Sequence, residues 1–149
     1  MAPTTITFEF IQNLVEDGNL AEAVDAYPAF LNENPDNHSA HHNFAILLRK
    51  FGQHEKALFH SWIAYSLSPD NAIIIFSLGL CKELNNSLPQ AEYLYRKALS
   101  LRPKYSAALN NLGRLLDHME RPFEALIFLR EAHLLSPDDT DILLNLANV

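Results

Sequence analysis

Prolines at 35, 69, 103 and 137 follow one another at a constant step of 34 residues. A fixed period of this length is the mark of a repeat architecture, and it constrains the fold more than any isolated segment does. Other residue types keep the same phase. Ala23, Ala57, Ala91 and Ala125 share it, as do Phe10, Phe44, Leu78, Leu112 and Leu146. Ile11, Ala45, Gly79, Gly113 and Ala147 form a mostly small register, and Phe30, Ala64, Ala98 and Ala132 form another. The glycines fall in two registers only, Gly18 with Gly52 and Gly79 with Gly113. The windows are therefore 4–37, 38–71, 72–105 and 106–139, with 140–149 opening a fifth.

Each full window reads as two helices. In "SAALNNLGRLLDHM" at 106–119, Ala108, Leu109, Leu112, Leu115 and Leu116 recur at helical spacing. In "RPFEALIFLREAHLLSP" at 121–137, Ala125, Leu126, Leu129 and Ala132 do the same. Gly18, Gly52 and Asn86 stand one period apart between the helices of a pair, where a left-handed residue ends a helix. Glu120 breaks that series, so a strained or differently built turn is expected there. Pro89 and Pro122 suit the starts of second helices. The periodic prolines end them, and Asn37, Asn71, Ser106 and Thr140 are the expected caps of the helices that follow. Pro28 falls inside a second helix, which predicts a kink near Asp25–Pro28.

Composition narrows the function. An apolar share of 48% supports a packed core. A formal charge of −7 with no Lys/Arg block argues against nucleic acid and against an anionic membrane surface. No stretch has the ~18 apolar residues of a membrane span. One cysteine, Cys81, and no signal-peptide pattern point to a reducing, cytoplasmic setting. Cys81 lies on an apolar stripe and reads as a buried, inert thiol.

Motifs for chemistry are sparse. No phosphate loop, HExxH, CxxC or marked nucleophile occurs, so the chain carries no catalytic motif and implies no cofactor. The nearest metal signal is "HSAHH", with His38, His41 and His42 on one helical face. It has no evident fourth ligand, and no metal is expected.

The third window carries Leu78-Gly79, Ala91, Tyr95, Ala98 and Pro103, and the fourth carries Leu112-Gly113, Ala125, Leu129, Ala132 and Pro137. This pattern resembles the tetratricopeptide repeat (TPR) family over nearly the whole chain. The first window departs most, with Ile11 and Phe30 at small-residue positions, and Lys82 replaces an aromatic in the third. The resemblance implies an all-α, right-handed α-solenoid of antiparallel helix pairs with about nine helices, in one domain of four repeats and a partial fifth. It also gives His41 a packing role, in the slot of a large aromatic residue. Small residues let neighbouring helices approach to about 8–10 Å, and stacking supplies the stability that a single pair lacks.

In such solenoids the first helices line a concave groove. The residue before each Phe/Leu of the first helices then reads Glu9, Asn43, Ser77, Asn111 and Asn145. An asparagine amide can pair with both halves of a peptide unit, and asparagines at this register hold peptides in members of the family. The resemblance therefore implies a protein or peptide partner along Asn43, Ser77, Asn111 and Asn145. Ile73, Phe76, Leu80 and Leu84 are expected to form an apolar stripe in the groove. Arg114 is expected to anchor an acidic group, with Arg49 and Lys50 at the edge. The family's carboxylate clamp is not reproduced, because His42, Phe76 and Asn110 stand where its first lysine would be.

The chain stops within a first helix whose Leu143, Leu146 and Ala147 match core registers. Two readings stay open: a terminal cap, or an N-terminal piece of a longer protein, which is the favoured expectation. Self-association through 140–149 would bury the same apolar face. The functional expectation is a non-catalytic interaction module, with the substrate-recruiting arm of a larger enzyme such as a glycosyltransferase as the alternative.

Overall fold

A computed structural model describes residues 6–149. Among the described residues there are nine α-helices and no strands: α1 Phe8–Glu16, α2 Leu20–Glu33, α3 His38–Lys50, α4 His54–Leu67, α5 Ala72–Leu84, α6 Leu88–Leu101, α7 Ser106–His118, α8 Pro122–Leu135 and α9 Thr140–Asn148. The fold class is an all-α solenoid of antiparallel helix pairs. Its contacts gather into two compact units, one running to Pro69 and the other from Asp70 to Val149. No helix among the described residues is long and apolar enough to cross a membrane.

The turn inside each pair is built by one device used four times. Gly18, Gly52, Asn86 and Glu120 all take positive φ, at 80°, 70°, 58° and 59°. In each turn the following N–H reaches five residues back: Asn19 to the Leu14 carbonyl, Gln53 to Leu48, Ser87 to Lys82 and Arg121 to Leu116, at 2.8–2.9 Å. These bonds satisfy carbonyls that the helix end would otherwise leave without donors. Glu120 therefore does not change the turn. It adopts the shared left-handed geometry and bears the Cβ strain that glycine avoids.

The turns between pairs rest on proline. The residues before it, Asn34, Ser68, Arg102 and Ser136, have ψ between 59° and 83°, outside the helical region. Crowding by the proline ring forces that departure. Asn37 then caps α3 by accepting from the Ala40 N–H at 2.9 Å, and Asn71 caps α5 by accepting from the Ile73 N–H at 3.0 Å. The last two caps differ from the expected Ser106 and Thr140. Tyr105 occupies the cap position of α7 and makes no side-chain cap bond, and Ser106 is already helical. Asp139 caps α9, one residue earlier than Thr140, because its carboxylate reaches the Asp141 and Ile142 N–H groups at 3.0 and 3.2 Å. Helix α2 runs unbroken across the exposed Pro28, so the proline removes the donor to the Val24 carbonyl without ending the helix.

In the first unit, Tyr27 of α2 stacks on Phe44 of α3 with centroids 4.8 Å apart, and burial pushes its phenol up to about 12. Phe30 is tolerated at a small-residue register because it stacks on Phe8 of the facing helix, at 5.6 Å. In the second unit, Leu109, Ala132 and Ile142 form a buried cluster that Leu99, Phe128 and Leu146 cover. Cys81 is buried. On the outer faces of α6 and α8, Arg121 bonds both Glu124 and Glu92 at 2.7 Å, and Arg96 bonds Glu92 at 2.9 Å.

The closest packing lies at two glycines. A Cβ on Gly79 would stand 2.6 Å from Tyr95 Cε1, and one on Gly113 would stand 2.6 Å from Leu129 Cγ and 3.2 Å from the Ala125 carbonyl oxygen. Gly113→Ala gains roughly 1 kcal/mol of helix propensity but must push α8 away, so a net loss of about 2 kcal/mol is expected in urea unfolding. Glu120→Gly relieves the left-handed strain and should raise stability by about 1 kcal/mol in the same measurement.

Candidate functional site

Two clefts lie on the first-helix faces, one within each unit. In the first unit a cleft of about 250 Å³ is lined by Gln12 and Val15 of α1, Tyr27 of α2, and Asn43, Ile46 and Lys50 of α3. In the second unit a cleft of about 370 Å³ is lined by Glu83 of α5, Arg114, Asp117 and His118 of α7, and Asn145 and Asn148 of α9. The helical step of three to four residues places 114 and 117–118 on one face of α7, and 145 and 148 on one face of α9.

The expected site residues divide sharply. Asn43 lines the first cleft, and Arg114 and Asn145 line the second. Ile73 is exposed and Leu80 is half-buried. Phe76 and Ser77 are buried at 9% and 3% exposure, so neither stands in open solvent as the groove reading required. Phe76 packs on Tyr95 and Tyr105 with centroids 5.6 and 5.0 Å away, which draws it off the surface. The Ser77 hydroxyl has no hydrogen-bond partner among the described residues.

The amides and the guanidinium are largely committed within the fold. Asn111 Nδ2 donates to the Ala107 carbonyl at 2.8 Å, and its Oδ1 accepts from Arg114 Nη2 at 3.3 Å. Arg114 Nη2 also donates to Glu83 Oε1 at 2.6 Å. The other Glu83 oxygen accepts from the Tyr95 hydroxyl at 2.7 Å. Asn145 Nδ2 donates to Asn110 Oδ1 at 2.9 Å. Glu83 is the partner that sequence reasoning missed. Its signal was available: opposite charges 31 residues apart on successive first helices, one helical turn short of the period.

The histidines of "HSAHH" separate. His41 is buried on the opposite side of α3 with both ring nitrogens engaged. Its Nε2 lies 3.0 Å from the Pro35 carbonyl oxygen, which only accepts, so Nε2 carries the proton and Nδ1 is the acceptor. His60 Nδ1–H then donates to His41 Nδ1 at 2.8 Å. The rings stack 5.1 Å apart beside Phe44, along a cleft of about 290 Å³ that also includes Leu31 and Ile63. Burial, with the neighbouring His41, pushes the His60 imidazole down to about 4. Burial also lowers His41, against the opposing pull of the Pro35 carbonyl and Asp36. His38 Nδ1 is instead 3.3 Å from Ser39 Oγ. Among the described residues no group of three metal-ligating side chains converges.

Comparison with known proteins agrees with this geometry. The tetratricopeptide-repeat family profile matches residues 94–127. The human protein named Tetratricopeptide repeat protein 6 is 25% identical over 138 residues, which is 93% of this chain and 26% of that protein. The mouse Protein O-mannosyl-transferase TMTC3 is 26% identical over 151 residues, 91% of this chain and 16% of that protein. The chain thus spans about a quarter or less of these curated relatives. A solved structure of MamA superposes with a TM-score of 0.85 at 17% identity, covering 96% of this chain and 84% of its own. YrrB, described as a TPR protein with an unusual peptide-binding site, gives 0.78 at 17% identity, with 94% and 72% covered. At these identities the superpositions establish a TPR-like all-α repeat fold.

The His41–His60 pair gives a pH dependence of defined sign. The folded His60 value lies below the unfolded one, 6.5, so its contribution is complete above 6.5 and is lost as pH falls toward about 4. The urea midpoint of the chain should fall between pH 6.5 and pH 4, and His60→Gln should flatten that fall. An unchanged slope in the variant would assign the acid sensitivity to other groups.

Proposed function

We propose that the chain is a non-catalytic interaction module that holds an extended peptide, or one face of a partner helix, on the exposed faces of its first helices. One observation carries this reading. The first helices turn apolar residues into the core while their opposite faces line open clefts with amide and charged side chains, Asn43 in one unit and Asn145, Arg114 and Asp117 in the other. Such surfaces offer a few uncommitted hydrogen-bonding groups beside internally paired ones, which suits recognition of a backbone and a few side chains. The continuous four-repeat domain with a partial fifth belongs to the same proposal.

A second reading is an arm that recruits substrates to a larger enzyme. The observation favouring it is the coverage. This chain matches 16% of a relative named as an O-mannosyl-transferase, so the matched region is a small part of that protein. A further contact is proposed at α9, where Leu143 and Leu144 are 44% and 59% exposed while Ile142 is buried. An apolar face of this kind favours one more packed helix, including one from a second copy.

Selection from a random dodecapeptide library on the immobilised chain tests the main reading. Peptides should emerge whose affinity falls about tenfold or more, the equivalent of about 1.4 kcal/mol, with Asn43→Arg or Asn145→Arg. Phe123→Ser on the outer face of α8 should leave it unchanged. No enrichment over a blank surface, or binding lost with Phe123→Ser and kept with both cleft variants, would reject the groove. Sedimentation velocity across a range of concentrations tests α9. A monomer throughout, indifferent to Leu144→Ser, would remove self-association through that helix.

A further inference from the structure

We propose that the cleft of the second unit takes a basic side chain of the bound peptide, an arginine or a lysine, with the Asp117 carboxylate as counter-charge. This rests on the peptide-binding reading above and states what the cleft selects. Its warrant is the charge left over after internal pairing. Arg114, the obvious anchor for an acidic group, is not a free cation. It is bound to Glu83 at 2.6 Å; the Glu83 side chain is 16% exposed and the Arg114 side chain 45%, so the pair is preformed with the guanidinium partly open to water. The second Glu83 oxygen is held by the Tyr95 hydroxyl, which fixes the carboxylate toward Arg114. An incoming carboxylate would have to displace Glu83 from Arg114, or approach with both Glu83 and Asp117 beside it.

Asp117 has the opposite status. It is half-buried at the cleft wall, and its carboxylate has no ion-pair or hydrogen-bond partner among the described residues. With the Glu83 and Arg114 side chains cancelling, the lining side chains keep one formal negative charge, that of Asp117. Asn145 adds to this polarity. One of its Nδ2 hydrogens bonds Asn110, and its Oδ1 is free to accept. The charge left unpaired is therefore the Asp117 carboxylate, with the Asn145 Oδ1 as a neighbouring acceptor; the Asn148 amide and the remaining Arg114 N–H groups can donate but add no unpaired charge. A guanidinium or ammonium supplies donors and positive charge together. The chain's formal charge of −7 attracts the same ligand at longer range. His118 also stands on the cleft wall.

The probes are four fluorescent Ser/Gly dodecapeptides with a central Arg-Ser-Arg, Lys-Ser-Lys, Glu-Ser-Glu or Leu-Ser-Leu, read by anisotropy on the chain. The basic peptides should bind about tenfold more tightly than the acidic one, and the advantage should shrink as salt rises. Asp117→Asn should erase the advantage with the circular dichroism spectrum unchanged. Glu83→Gln should release Arg114 and raise the affinity of the acidic peptide. A native preference for the acidic peptide, equal binding of all four, no binding of any, or a basic preference that survives Asp117→Asn would overturn the inference. The library selection separates the two levels. Enriched peptides with acidic or apolar anchors would remove the inference and leave the groove standing, whereas no enrichment would remove both.

Discussion

The packing of the second unit depends on the close approach of first and second helices at Gly79 and Gly113. The Tyr95 ring and the Leu129 side chain occupy the space where a Cβ would be. The consequences spread outward. Ala91 and Ala125 are fully buried at the same crossings, and Tyr95 is placed so that its hydroxyl reaches Glu83. Glu83 in turn fixes Arg114 on the next first helix. A packing contact in the core thereby decides which charge in the cleft remains unpaired.

The helices were legible in the sequence because backbone constraints repeat with the period. Proline at 35, 69, 103 and 137 excludes helix from the residue before it, whatever packs nearby. The left-handed turns were legible where Gly18, Gly52 and Asn86 occupy them, and obscure at Glu120, because a strained residue leaves no trace in composition. Ser106 was misplaced as a cap because the cap position of α7 falls on Tyr105, and Thr140 because two polar residues adjoin at 139–140. Asp139 prevails there through a carboxylate that reaches two N–H groups, and helix α7 begins without any side-chain cap. Helix α8 shows a further limit of periodicity. Leu129 and Ala132 face the core while Phe123 and Leu134 are 86% and 80% exposed, so its apolar pattern alone does not say which face is inside.

The candidate site was less legible, for a physical reason. A register says where a residue sits on its helix, whereas availability depends on what its neighbours consume. Asn111 holds the right position but spends its donor on Ala107 and its acceptor on Arg114. Ser77 holds the equivalent position one repeat earlier, with Phe76 just before it, and both are buried, Phe76 in contact with the Tyr95 and Tyr105 rings. His41 belongs to "HSAHH" by sequence and to the His60 pair by geometry, since adjacent residues on a helix point about 100° apart.

The repeat itself explains why chemistry and fold separate so cleanly here. The tightest of the positions that face the neighbouring helix keep one size at each step, as Ala23, Ala57, Ala91 and Ala125 show. Those on the opposite face of the first helices meet no such demand. Three residues past the asparagine register stand Gln12, Ile46, Leu80, Arg114 and Asn148, which share neither charge nor polarity. Selectivity in such an array therefore rests on pairings between successive first helices, since one register alone carries no fixed chemistry. Glu83 with Arg114 and Asn110 with Asn145 are two such pairings, and each removes one group from the surface as it orients another. What a partner meets is the remainder, so the specificity of the cleft follows from its internal bonds as much as from the residues that line it.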